Sequence, residues 1–165
     1  MEMTDLVAAE SAIRQLHARY VDALWRRDTE AFVECFAADA EWKIAGLHMR
    51  GRGEIGSQFE RFIASSERIL MVLTAPVLEV GEGTATSRTF ATEYVKLKDG
   101  RAVRTLGIYY DRLIDQGERW RFQRRHFNLY HYGPLDLSAD FHDCLEYGPP
   151  PGMPGPDDPT TVRSA

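Results

Sequence analysis

His126 is the residue of this chain best suited to moving a proton. It stands in Arg124-Arg125-His126-Phe127-Asn128, within an aromatic-rich run, and an imidazole gives or takes a proton near neutral pH. With the two-residue period of a strand, Trp120, Phe122, Arg124, His126, Asn128 and Tyr130 share one face. That face grades from large apolar groups to polar ones, as a core floor grades into a mouth, and Asn128 is placed to orient a substrate or the imidazole. The expected partner is a phenol. Tyr20 lies on an apolar stripe with Leu16 and Leu24, so its hydroxyl can meet a substrate oxygen or act as general acid. Tyr94 is the second candidate phenol, on a face shared with Thr86, Arg88, Phe90, Thr92 and Lys96. The alternate face, with Ala91, Val95 and Leu97, is equally able to be the core.

Around these groups, Trp25, Trp42, Phe59 and Met71 are candidate substrate contacts, with His48 at the rim. An aromatic- and Met-lined pocket suits a planar hydrophobic ligand. Asp22 is excluded as a base, because two residues along a helix turn it about 200° from Tyr20. His17, His131 and His142 are read as peripheral, and Cys35 as a small buried hydrophobe. Asp111 is read as a cross-strand partner of Arg124 or Arg125. The five histidines show no ligand-type pairing with carboxylates, and no phosphate loop, dinucleotide fingerprint or nucleophile elbow is present. Neither a metal nor an organic cofactor is expected.

The elements that must position these groups follow from periodicity. Residues 5–27 repeat apolar side chains at helical steps, with Thr4 as the expected cap. Asp28 caps a second helix that runs to about Asp39, and a third spans 54–65. A short strand is expected over 41–47. Residues 69–80, 84–97, 102–113 and 119–132 are rich in β-formers and separated by Gly-containing turns, of which Asp99-Gly100 is the sharpest. Long antiparallel strands must coil. The expectation is an α+β fold: a curved antiparallel sheet with a concave face covered by three N-terminal helices, spanning 1–135. Residues 136–165 form a Pro/Gly-rich extension, either solvated or lying across a neighbouring subunit.

Composition agrees with a globular chain. Of 165 residues 44% are hydrophobic and 27% charged, and the net charge of -5 argues against a nucleic-acid partner. No run is long and apolar enough to span a membrane. With Glu2 and Asp5 near the start and only two cysteines, a cytoplasmic chain without disulfides is expected.

A resemblance covers residues 5–132. The stretch 12–24 followed by Arg27-Asp28, then Phe36-Ala37-Ala38-Asp39-Ala40-Glu41-Trp42, Gly51-Arg52-Gly53-Glu54-Ile55, Gly107-Ile108-Tyr109-Tyr110-Asp111-Arg112-Leu113 and Trp120-Arg121-Phe122 resemble the SnoaL-like proteins of the nuclear transport factor 2-like superfamily. The resemblance implies the cone fold, a homo-oligomer (dimer or trimer), and small hydrophobic substrates handled by dehydratases, isomerases, cyclases, epoxide hydrolases or binding modules. It also implies an acidic residue late in the first helix and a histidine on the first long strand. This sequence has Trp25 at the first position and Met71 or Val72 at the second. Either proton-transfer chemistry rests on other residues or there is none. The expected function is a cofactor-independent lyase, by dehydration or retro-aldol cleavage releasing a small aldehyde, on a bulky hydroxylated aromatic or polycyclic compound. An isomerase or cyclase of a polyketide- or steroid-like ligand, and a non-catalytic binding barrel, are the alternatives.

Overall fold

The first helix, α1 (Met3–Arg26), buries Ile13, Leu16, His17, Tyr20, Ala23 and Leu24 along one side. The computed structural model describes residues 2–117, 119–143, 147 and 152–162. Helix α1 starts one residue before the expected cap, with no side-chain cap hydrogen bond. It ends at Arg27, a left-handed residue with φ of 58° whose amide N–H reaches back to the helix carbonyls. The Arg27 guanidinium then donates to the carbonyls of Ile63, Ser66 and Glu67, tying the end of α1 to the next helix–strand junction. Asp28 caps α2 (Thr29–Glu34) as expected, its carboxylate accepting from the Ala31 amide at 2.9 Å.

Helix α2 stops well short of Asp39. Phe36 already begins a strand, β1 (Phe36–Ile44), because alternation from Phe36 onward buries side chains against the core. A tight hairpin at Ala45 and Gly46, both with positive φ, leads into β2 (Leu47–Arg50), a strand absent from the sequence reading. Helix α3 (Gly51–Ser65) follows, then β3 (Ser66–Leu73), β4 (Val77–Val80), β5 (Thr84–Leu97), β6 (Ala102–Asp115) and β7 (Trp120–Gly133). The expected strand over 69–80 is thus two pieces broken before Val77, and both pair with β5. Pro76 at the break supplies no backbone donor.

One sheet runs in the order β2-β1-β7-β6-β5-β3, antiparallel except that β1 lies parallel to β7. The helices cover its inner face, giving the expected α+β cone with a curved sheet. An aromatic cluster of Tyr20, Phe32, Phe36, Trp42, Phe59 and Phe122 fills the narrow part, with Phe32 stacked on Phe59 at 3.9 Å between centroids. Gly107 permits β6 and β7 to close. A Cβ there would stand 2.2 Å from the Phe127 ring and 2.5 Å from the Asn128 carbonyl.

Two irregularities in β7 decide which side chains face inward. Leu113 pairs with Phe122 but Arg112 pairs with Arg124, leaving Gln123 as an extra residue. Leu106 pairs with His131 and Gly107 with Leu129, leaving Tyr130 as another. Each bulge moves the following side chains to the opposite face. Against the outer face lies the described part of the Pro-rich tail, residues 152–162. Arg124 donates to the Pro154 carbonyl at 3.0 Å, and Lys43 to those of Pro156 and Asp158. The expected solvated or intersubunit arm is, over these residues, a strap on the chain's own sheet. Cys144 and Pro149, Pro150 and Pro151 lie outside the described residues. Among the described residues no helix is long and apolar enough to cross a membrane.

Candidate active site

Inside the cone the inward positions of the three longest strands come together. On β5 these are Ala85, Ser87, Thr89, Ala91, Glu93 and Val95; on β6 they are Val103, Thr105, Gly107, Tyr109, Asp111 and Leu113, each directly paired with its β5 counterpart. A cavity of about 70 Å³ remains between them and the helices. Tyr20, Tyr109, Glu93, Trp42, Phe59, Met71 and Tyr132 are among its walls. The lining residues that keep some exposure are Phe62, Ser65, Glu93, Leu97 and Tyr132. The cavity therefore opens between the end of α3 and the ends of β5 and β7.

The polar atoms of this cavity are few. The Tyr20 and Tyr109 hydroxyls lie 3.5 Å apart and share a proton donor role. Burial raises the Tyr20 pKa well above its ordinary value, with Tyr109 adding to the shift. Burial likewise raises that of Tyr109, and the Arg125 charge opposes both shifts. Both phenols are thus held protonated at neutral pH and present O–H donors. Trp42 is 2% exposed, and its indole N–H has no hydrogen-bond partner among the described residues. A buried donor without a partner costs about 1–3 kcal/mol, and a ligand acceptor at the cavity wall would remove that cost. Glu93 is the one charged side chain in the lining among the described residues.

Behind the phenols sits a fully buried ion pair. Arg125 donates from Nη1 to Asp111 Oδ2 at 3.0 Å, and neither side chain has any exposure. The Arg125 guanidinium lies 3.7 Å from the centroid of Tyr109, 4.2 Å from Phe122 and 4.3 Å from Tyr20. Asp111 Oδ2 also accepts from Ser87 at 3.0 Å, and His17 Nε2 stands 3.3 Å away. The other His17 nitrogen donates to the Ile13 carbonyl at 3.0 Å. Burial works against the Arg125 charge, but Asp111 and the two phenols outweigh it and hold the guanidinium charged.

Some of the side chains expected at the site come together and others do not. Tyr20, Trp42, Phe59 and Met71 do line one cavity. His126 does not join them. Arg125 stacks on Tyr20, so the next residue projects from the opposite face, alongside Lys43 and Arg124 and beneath the strap. The expected parity across 120–130 failed at the Gln123 bulge. His126 has no exposure, and neither ring nitrogen has a hydrogen-bond partner among the described residues. Burial first, then the neighbouring Lys43 and Arg124 charges, lower its pKa to about 4. Asn128 is buried on the same outer side.

Tyr94 is likewise outward, accepting from Arg104 Nη2 at 3.0 Å with that guanidinium over its ring. His48 pairs with Glu41 on the β1–β2 hairpin, away from the cavity. Trp25 is 51% exposed, and its indole donates to the Met71 carbonyl at 3.0 Å. The two positions that the resemblance assigns to an acid and a base are therefore adjacent here and joined by a bond with no titratable group in it. His17 and His131, read as peripheral, are buried. Asp111 pairs across strands with Arg125, one of the two partners expected for it. Cys35 is buried, and burial raises its thiol pKa to about 11, which leaves it an inert hydrophobe.

Glu93, Tyr109 and His17 are the residues that sequence reasoning missed. For Glu93 a signal existed: it continues the face of Ala91, Val95 and Leu97, the alternative that alternation left open. No group of three His, Cys, Asp or Glu suited to a metal occurs among the described residues.

Comparisons with known proteins agree with this fold. Residues 5–126 match the model of the SnoaL-like domain. A type 2 hexachlorocyclohexane dehydrochlorinase (LinA) superposes with a TM-score of 0.76 at 16% identity, covering 91% of this chain and 99% of that one. A candidate scytalone dehydratase from Novosphingobium aromaticivorans gives 0.76 at 18% identity, covering 99% of both chains. A variant form of Rv3472, a protein of unknown function from Mycobacterium tuberculosis, gives 0.71 at 26% identity over 85% of this chain and 82% of that one. No curated protein matches the sequence.

Proposed function

The chain belongs to the SnoaL-like family, and on that premise we propose that it is a cofactor-independent lyase acting on a hydroxylated aromatic compound. Glu93 is the general base, and the Tyr20–Tyr109 pair supplies the proton. One observation carries this reading: a carboxylate, two protonated phenols and an unpartnered indole N–H line a single, otherwise apolar cavity.

In a dehydration, Glu93 takes the proton beside the leaving hydroxyl and the C–H electron pair becomes the new C=C bond. The C–O bond breaks, and a phenol proton completes the departing water. In a retro-aldol cleavage the same base takes a hydroxyl proton, the C–C bond breaks and a small aldehyde leaves. The electron pair left on the ring fragment is protonated by the phenol. The Trp42 N–H fixes a substrate oxygen in either case. Donors aimed in advance at developing oxygen charge are the largest single source of rate in such sites.

The cavity narrows the substrate. About 70 Å³ lies far below the roughly 300–1,000 Å³ of pockets for drug-sized ligands and below the roughly 150 Å³ of a cavity that takes benzene, so a single ring enters only as the walls part and a polycycle does not fit. The single carboxylate in the wall disfavours anionic substrates. Dehydrochlorination by LinA and the scytalone dehydratase assignment belong to those relatives; they support an elimination on a ring compound. Self-association belongs to the same proposal. Phe90 and Tyr130 stand 52% and 41% exposed on the outer sheet face, where a second copy would cover them, as light scattering would register.

The test is a panel of neutral, hydroxylated single-ring compounds incubated with the protein and read by mass spectrometry. Loss of water or release of an aldehyde, abolished by Glu93→Gln, is the expected result. A product of unchanged mass would make the protein an isomerase. Tight binding without turnover would make it a binding barrel.

A further inference from the structure

Arg125 is costly as a purely structural residue. It is completely buried and shares one carboxylate, and its Nε and Nη2 donors have no hydrogen-bond partners among the described residues. Asp111 Oδ1 also lacks one. A buried ion pair with unsatisfied groups is generally no more stable than a well-packed apolar replacement, because desolvation offsets the attraction. The position of the charge offers a reason for its presence. The guanidinium is fixed against the ring faces of Tyr109 and Tyr20, at 3.7 and 4.3 Å. The two hydroxyls lie 3.5 Å apart at the cavity wall, and that of Tyr20 is also within hydrogen-bonding reach of the guanidinium.

We propose that Arg125, clamped by Asp111, is a positioning residue for the reaction: it holds a fixed positive charge behind the Tyr20–Tyr109 pair and stabilises the negative charge those phenols take up as they pass a proton to substrate. This rests on the reading of the cavity as a lyase site. Arg125 touches no substrate and acts through the phenols. A guanidinium over an aromatic face is attracted by the ring's negative face, and the attraction grows as the ring gains phenolate character. In a cavity dry enough to keep both rings 1% exposed, a charge at this distance is screened far less than in water.

Asp111 has two opposing effects. It orients the guanidinium through the 3.0 Å bond, and its own negative charge subtracts from the field at the phenols. Ser87 and His17 contact the same carboxylate oxygen. They help fix the pair, and His17 connects it to the side of α1 that borders an open groove with Trp25. The charges facing the phenols from the packed elements are thus Arg125 from β7, Asp111 from β6 and Glu93 from β5.

Opposite signs separate this role from packing. Phenol ionisation is followed by the ultraviolet absorbance of phenolate in the full chain, with Tyr20→Phe and Tyr109→Phe assigning the two buried groups. Arg125→Met keeps the length and loses the charge, and should move their ionisation upward by one pH unit or more. Asp111→Asn keeps the shape and should move it downward. With a turned-over substrate, Arg125→Met should lower kcat about a hundredfold with KM within about threefold, while Arg125→Lys recovers part of the loss. A folded Arg125→Met with unshifted phenols, or a shift of the same sign in both variants, overturns the proposal. If Arg125→Met does not fold, Asp111→Asn decides by its sign alone. The titration needs no substrate, so it stands or falls separately from the lyase reading, which the product panel judges.

Discussion

Arg125 and His126 are neighbours in sequence, both fully buried, and opposite in every other respect. Arg125 enters the cone, finds Asp111 and three aromatic rings, and keeps its charge. His126 leaves through the outer face, meets Lys43 and Arg124 under the strap, and loses its charge down to about pH 4. The same strand thus carries an ion pair serving a cavity on one side and a neutral imidazole serving a strap on the other. Burial alone says nothing about function. What the buried group faces decides it.

The sharpest way to break that contrast is to remove one titratable group from each face. Glu93→Gln should lower kcat by about a hundredfold to ten-thousandfold, the usual worth of a general base, with the circular dichroism spectrum unchanged. His126→Ala should leave kcat within about threefold, and a hundredfold loss there would return the chemistry to the outer face. Next in size, Tyr20→Phe should cost about a hundredfold in kcat by removing one donor to the developing oxygen charge.

The remaining predictions concern stability. Gly107→Ala should cost about 1–3 kcal/mol in urea unfolding, since the added methyl meets the Phe127 ring and the Asn128 carbonyl. An unchanged midpoint would mean that β6 and β7 can part there. The His126 effect has a definite sign. Its folded pKa lies below its unfolded value, so the unfolded chain binds the extra proton first as pH falls. Stability is therefore fully present above about pH 6.5 and declines as pH drops toward about 4. The loss should be roughly 1–3 kcal/mol, and His126→Gln should flatten it. Smallest of all, Lys43→Met removes the donor to the Pro156 and Asp158 carbonyls. It should cost about 1 kcal/mol and raise the His126 pKa measured by NMR, because one neighbouring positive charge is gone. A fall in that pKa would show that the strap, and not Lys43, governs the imidazole.

Much of the architecture was legible because it depends on local periodicity. The apolar steps of α1, the Asp28 cap and the long strands joined by glycine turns all lie in short windows, and each forms as read apart from shifted ends and the 69–80 strand, which breaks before Val77. The β1–β2 hairpin was missed because the Ala45–Gly46 turn carries a weak signal, with a non-glycine residue at positive φ. Within the site, Tyr20, Trp42, Phe59 and Met71 were found because helical stripes and aromatic content mark an interior. His126 and Asn128 were placed on the wrong side for one reason: a single extra residue, Gln123, flips every side chain after it. A bulge leaves almost no trace in composition.

The amino-acid order by itself determined the elements, the curved sheet they build and that Asp111 pairs across strands with Arg124 or Arg125, because short-range pattern and strand register constrain them. Only the tertiary structure decided which of two neighbouring residues on β7 reaches the cavity, that Glu93 rather than Tyr94 turns inward, and that the tail straps the sheet. Those outcomes depend on strand parity and on contacts between segments more than a hundred residues apart, such as Lys43 with Pro156 and Asp158, and no local window contains either.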